Sequence, residues 1–115
     1  MSHPIIYGIK NCDTMKKAFA WLDSNSVQYT FHDYKKLGMD ESVLKQAIAQ
    51  HGWENVINRR GTTWRMLPDT IKTTMNADMA ESLAKESPSI VKRPLLVHDN
   101  TITLGFSAEH YRDIF

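Results

Sequence analysis

The one cysteine of the 115-residue chain, Cys12, stands where a thiol is expected to become reactive. It follows a short apolar run that ends at Gly8, and it precedes a segment with helical periodicity that begins near Asp13 or Thr14. The first backbone N–H groups of a helix have no partner within the helix and carry partial positive charge. A thiolate there accepts their hydrogen bonds, so its pKa falls below the roughly 8.5 of a free cysteine. We therefore predict that Cys12 is a nucleophile, with a buried and inert thiol as the alternative.

The residues around Cys12 are predicted to bind an anion, because the start of a helix attracts anions as well as thiolates. Gly8, which has no side chain, is expected to leave space for a substrate beside the strand end. Lys10 adds positive charge, whereas Asp13 opposes it. Proximity to the thiol alone makes three residues candidate substrate-binding groups: Lys10, Asn11 and Thr14.

A dithiol mechanism within one chain is excluded, since Met15 occupies the position that a second cysteine has in a C-x-x-C motif. Turnover therefore requires an external thiol, such as glutathione, that resolves a mixed disulfide on Cys12.

Arginines supply the candidate anion-binding groups away from the cysteine. Arg93 precedes Pro94, and a cis bond there is expected to aim Arg93 at the thiol, although a surface arginine at a strand end is the alternative. Arg59 and Arg60 lie in a loop that contains Gly61. Their planar guanidinium groups suit carboxylates and oxyanions, so the loop is either an anion clamp or a solvated turn.

The elements that position these residues are predicted to form an α/β domain. The strand ending at Gly8, a helix with apolar residues from Met15 to Leu22, and a strand over residues 27–34 form a parallel β-α-β unit. Residues 94–97 and 101–104 are predicted to form a hairpin around the turn at residues 98–100. A mixed four-stranded sheet flanked by helices follows.

Three more helices are predicted from capping residues. Asp40 starts a helix that stops near His51, Asn76 starts one that ends before Pro88, and Ser107 starts the last one. Residues 53–67 show no regular pattern. The length predicts one domain over residues 1–115.

Composition excludes several classes of function. The net charge of +1 predicts neither nucleic-acid nor membrane binding, and no apolar run approaches the roughly 20 residues of a membrane span. Met1 to Pro4 do not resemble a secretory signal, and a lone thiol is typical of the reducing cytoplasm. The five histidines show no metal-binding spacing, and the three tryptophans, Trp21, Trp53 and Trp64, are interpreted as packing residues.

Three separated motifs resemble those of the arsenate reductase (ArsC)/Spx family, most closely its YffB branch. They cover residues 7–18, with the sequence YGIKNCDTMKKA, residues 58–65, with NRRGTTWR, and residues 92–95, with KRPL. The resemblance extends over essentially the whole chain in family order. It implies a thioredoxin-like sheet with a helical insertion between its halves.

The resemblance also implies roles for individual residues. Cys12 is implied to be the nucleophile, and Arg93, before a cis Pro94, to face it. One loop arginine is implied to help bind the anion, with Arg59 preferred and Arg60 nearly equal. The implied protein is a cytoplasmic monomer with no bound cofactor. Its expected partners are glutathione as co-substrate, another small thiol or disulfide, and glutaredoxin.

Three departures from the family pattern bear on the substrate. Arsenate reductases of this type carry His at the position of Gly8, Pro at Lys10 and Arg at Phe106. A site with fewer cations binds a doubly charged oxyanion more weakly, because each charge-assisted bond is worth roughly 1.5–3 kcal/mol. The chain is therefore predicted to be a glutathione-dependent thiol reductase. The alternatives are an arsenate reductase working with glutathione and glutaredoxin, and a Spx-like binding module without catalysis.

Overall fold

The computed structural model describes residues 3–115, so the predictions that involve Met1 and Ser2 fall partly outside the described residues. Its elements, in chain order, are β1 (Ile5–Gly8), α1 (Asp13–Ser24), β2 (Thr30–Asp33), α2 (Tyr34–Leu37), α3 (Glu41–His51), α4 (Trp53–Val56), α5 (Thr62–Arg65), α6 (Asp69–Thr74), α7 (Ala77–Glu86), a 3₁₀ turn (Pro88–Ile90), β3 (Leu95–His98), β4 (Thr101–Leu104) and α8 (Ala108–Ile114).

The chain forms two compact units. The first unit contains the residues up to Leu37 and those from Arg93 to Phe115, and the second contains Gly38–Lys92. One domain over residues 1–115 stays a prediction.

The first unit holds a mixed four-stranded sheet, as predicted. The strand order is β2-β1-β3-β4, with β1 and β2 parallel and the other two pairs antiparallel. Asp99 and Asn100 both have positive φ, of 46° and 65°, which suits the two-residue turn of the β3–β4 hairpin. The sheet and helices of this unit enclose a core of Ile6, Met15, Ala18, Leu22, Leu96 and Tyr111.

The predicted second strand is wrong at both ends. The backbone N–H of Val27 donates to the carbonyl of Leu22 at 3.0 Å, and that of Ser26 donates to the carbonyl of Asp23 at 3.2 Å. With Ser26 at a φ of 57°, these bonds close α1 in a Schellman motif. The chain around Val27 thus completes the helix end, and β2 starts only at Thr30. Tyr34 begins α2 instead of ending the strand.

The second unit is helical and lies between β2 and β3 in the chain, as the resemblance implied. The side chains of Asp40 and Asn76 accept from the N–H groups of Val43 at 3.1 Å and Met79 at 2.9 Å, which confirms both predicted caps. The segment predicted to be irregular contains the short helices α4 and α5, and α6 follows without having been predicted. The core of this unit consists of Leu44, Ala47, Val56, Ile57, Ala80, Ala84, Ile90 and Val91.

Candidate active site

Cys12 is the N-cap residue of α1. Its backbone is extended, with φ −142° and ψ 129°, and its carbonyl accepts the first helical bond, from the N–H of Lys16 at 2.9 Å. The thiol is half-buried. The predicted placement of the cysteine at a helix start therefore agrees with the structure.

The surroundings of the thiol lower its pKa. Burial acts to raise the pKa of Cys12, but hydrogen bonds and charge outweigh it. The backbone amides of Met15 and Thr14 and the side chain of Arg93 favour the thiolate over the neutral thiol, and the positive charge of Arg93 adds to the effect. Two of these groups belong to the first turn of α1. A lowered thiol pKa is the effect expected of a helix start.

Arg93 connects the thiol to the interior of the first unit. Its half-buried side chain donates hydrogen bonds to Cys12 and Tyr34. Burial acts to lower the pKa of Arg93, but its bonds to Cys12 and Tyr34 raise it overall, so the guanidinium stays charged. The Arg93–Pro94 peptide bond is cis.

Tyr34 is a site residue that sequence reasoning missed. It is fully buried, at 0% exposure, and its hydroxyl accepts a hydrogen bond from Arg93. Burial raises the pKa of Tyr34, although Arg93 acts against that rise. The one sequence signal for Tyr34 is its position directly after β2. Because β2 pairs in parallel with β1, the strand that leads to Cys12, the residues that follow the two strands lie at the same edge of the sheet.

The space predicted beside Gly8 is filled. A Cβ atom on residue 8 would collide with the sulfur and terminal methyl of Met15, which is fully buried. The expectation that Gly8 leaves room for a substrate is therefore wrong: the missing side chain accommodates the core methionine. Met15 itself holds the position of the second cysteine in a C-x-x-C motif.

The candidate binding residues near the thiol act in different ways. The backbone amide of Thr14 acts to lower the pKa of Cys12. Lys10 and Asn11 are exposed and line a groove of about 410 Å³ in the first unit. The other residues that line this groove are Ile9, Asp33, Lys35 and Lys36.

Arg59 and Arg60 belong to the second unit, where they line a cavity of about 450 Å³ together with Lys92. The Arg59 guanidinium lies 5.9 Å from the ring centroid of Trp53. The backbone N–H of Arg60 donates to the Asn58 side chain at 3.2 Å. The preference for Arg59 over Arg60 stays a prediction.

An aromatic residue stands where arsenate reductases of this type carry a third arginine. Phe106 packs edge-on against Tyr111, with ring centroids 4.8 Å apart, and both Phe106 and Cys12 pack against the core of the first unit. The Phe106 side chain thus supplies hydrophobic contact and no positive charge at this position.

The described residues contain neither a metal-binding cluster nor a membrane-spanning helix. Across residues 3–115, no three His, Cys, Asp or Glu side chains are grouped so as to hold a metal ion. No helix in the same range is long and apolar enough to cross a membrane.

All three tryptophans are half-buried, which confirms their interpretation as packing residues; Trp53 stacks on Trp64, with ring centroids 6.0 Å apart.

Comparisons with known proteins agree with this fold. Residues 7–114 match the model of the ArsC family. The solved structure of a YFFB protein superposes with a TM-score of 0.92 at 43% identity, covering 96% of this chain and 97% of that one. An uncharacterized protein of Haemophilus influenzae is 40% identical over 110 residues, 96% of each chain. The global transcriptional regulator Spx of Streptococcus pyogenes is 25% identical over 104 residues, 89% of this chain and 77% of its own. The predicted thioredoxin-like α/β fold is thereby confirmed.

Proposed function

The chain belongs to the ArsC family, and on that premise we propose that it is a glutathione-dependent thiol reductase with Cys12 as its nucleophile. The observation that carries the proposal is the position of one sulfur at the start of α1 beside the Arg93 side chain, where the pKa of the thiol is lowered. A thiolate held in this way is present at a pH where a free thiol is largely protonated, and the thiolate is the form that attacks disulfides.

The proposed cycle has two exchange steps. The Cys12 thiolate attacks the glutathione sulfur of a mixed disulfide; a new S–S bond forms, the old one breaks, and its electron pair leaves with the substrate as a thiolate. A second glutathione thiolate then attacks the glutathione sulfur now bound to Cys12. Oxidised glutathione departs, and the electron pair returns to the Cys12 sulfur.

Arg93 and the start of α1 act in both steps of this cycle. Both favour the charged sulfur, so they increase the fraction of Cys12 that can attack and make it a better leaving group in the second step. The low leaving-group pKa matters most in the second step, where the thiolate of Cys12 is released.

The test is turnover of a glutathionylated peptide, followed as oxidised glutathione formed in the presence of reduced glutathione. We expect Cys12→Ser to abolish the enzymatic rate, because a hydroxyl does not form the mixed disulfide. Full glutathione-dependent activity in Cys12→Ser would overturn the proposal.

The proposed setting remains a cytoplasmic monomer without a bound cofactor, with glutaredoxin as a candidate partner.

Arsenate reduction is a second candidate, favoured by membership of the ArsC family. Two features of the first unit weigh against it: Phe106 supplies no charge, and the space at Gly8 is filled by Met15. Formation of arsenite with glutathione and glutaredoxin would support this candidate, and its failure would remove it.

A Spx-like regulatory role is a third candidate, supported by the 25% identity to Spx, and pull-down of an RNA polymerase subunit tests it.

A further inference from the structure

The groove of about 410 Å³ that Lys10 and Asn11 line also contains Lys35, Lys36 and the carboxylate of Asp33. Lys10, Lys35 and Lys36 supply the positive charge, and all three are exposed. The carboxylate of Asp33 is already engaged, since its Oδ1 accepts from the backbone N–H of Lys35 at 3.0 Å. The groove therefore has an excess of positive charge although the whole chain carries only +1.

One side of the groove belongs to the segment that leads to the nucleophile. Ile9, Lys10 and Asn11 form one wall, and the next residue is Cys12. Three residues of extended chain span at most about 11 Å, so the groove lies within the length of a small peptide from the sulfur. The other lining residues come from the end of β2 and the start of α2, which contribute Asp33, Lys35 and Lys36.

We propose that this groove binds the carboxylate end of the thiol that becomes linked to Cys12, and that Lys35 and Lys36 make the site selective for anionic thiol compounds. The inference rests on the proposed function and names the class of substrate that the same site prefers. Lysine ammonium groups bind carboxylates as point charges, and their attraction also draws anionic ligands toward the groove before contact. Ile9 offers an apolar surface for the aliphatic part of such a ligand.

The step to be measured is a single exchange. The Cys12 thiolate attacks one sulfur of a symmetrical disulfide, the S–S bond breaks, and one half leaves as a thiolate with the electron pair. Oxidised glutathione carries carboxylates on each half, whereas cystamine carries an ammonium group on each half. The ratio of their second-order rate constants, read from the mass gained by the protein, reports the charge preference of the groove.

We expect Lys35→Gln combined with Lys36→Gln to lower this ratio about three- to tenfold, because two exposed charge pairs are lost and each is worth roughly one- to fivefold. The control variant combines Lys16→Gln with Lys17→Gln, which removes the same charge from the exposed face of α1. The control is expected to change the ratio less than twofold. The rate with neutral iodoacetamide, unchanged in both variants, shows that Cys12 itself is intact.

A second measurement uses the unaltered protein. Raising the salt concentration to about 1 M shortens the Debye length to roughly 3 Å, so the preference for oxidised glutathione is expected to collapse. The inference is overturned if the ratio of the two rate constants is unchanged in the Lys35 and Lys36 variant, or if it falls equally in the control. It is also overturned if the thiol reacts with iodoacetamide but not with oxidised glutathione. Selective exchange without catalytic turnover would instead remove the proposed function and leave the groove assignment in place.

Discussion

The side chain of Arg93 donates a hydrogen bond to the sulfur of Cys12. The two residues come from opposite ends of the chain and meet because β3, which follows Arg93, pairs directly with β1, which precedes Cys12. The bond places a permanent positive charge at a half-buried thiol, where it favours the thiolate.

Replacing Arg93 with Gln is expected to raise the pKa of Cys12, because the variant loses both the charged donor and its Coulomb attraction. At pH 7 we expect the iodoacetamide alkylation rate to fall about tenfold, since a bond to a charged group is worth about 1.5–3 kcal/mol and the site is partly exposed. The measurement is the alkylation rate against pH. Arg112→Gln, an exposed arginine of α8, is the control; equal profiles for the two variants would contradict the assignment.

Tyr34→Phe removes the hydroxyl that holds Arg93 and leaves the buried ring in place. We expect a loss of about 0.5–1.5 kcal/mol in the free energy of unfolding. We also expect a shift of the Cys12 alkylation profile to higher pH, because Arg93 is less well positioned. Tyr29→Phe, whose hydroxyl donates to Asp23 at 3.3 Å, is the matched control. A loss of stability with an unchanged alkylation profile would show that Tyr34 is structural only.

Gly8→Ala is expected to destabilise the protein by about 1–3 kcal/mol, because the added Cβ collides with Met15 in the core. Shortening the methionine as well, with Met15→Ala, removes the clash. The double variant should therefore be more stable than the sum of the two single changes predicts, as measured by urea unfolding. Strict additivity would show that Met15 does not limit the residue at position 8.

The lowered pKa of Cys12 links stability to pH. Between the folded and unfolded pKa values the unfolded chain binds the proton and the folded chain does not, so stability rises with pH. The contribution of the Cys12 thiolate to the free energy of unfolding is complete above the pKa of the unfolded chain, about 8.5. It is lost as the pH falls through the pKa of the folded chain. We expect the difference in free energy of unfolding between the natural protein and Cys12→Ser to grow from pH 5 to pH 9. A difference that is constant with pH would mean that the fold does not stabilise the thiolate.

Much of the fold follows from local chemistry that one sequence displays. Asp40, Asn76 and Ser107 cap their helices with their own side chains, and Asp99 with Asn100 forms the hairpin turn. These features depend on neighbours within a few residues, so their positions could be predicted. The placement of Cys12 at the start of α1 is local in the same sense.

The short helices α4, α5 and α6 were not predictable in this way. Helices of four to six residues lie far below the length at which a helix is stable by itself, so packing within the unit decides whether they form. The early start predicted for β2 failed for a different reason, because the backbone N–H of Val27 closes the end of α1 in a local turn.

The sequence by itself determined that a lone thiol stands at the start of a helix and that its disulfide must be resolved by another molecule, because both follow from residue type and order. Only the tertiary structure decided what surrounds that thiol. Strand pairing brings Arg93 and Tyr34 into one hydrogen-bonded group with Cys12, and core packing gives the space at Gly8 to Met15. Contacts between residues far apart in the chain depend on how the sheet is assembled, and local spacing carries no record of that assembly.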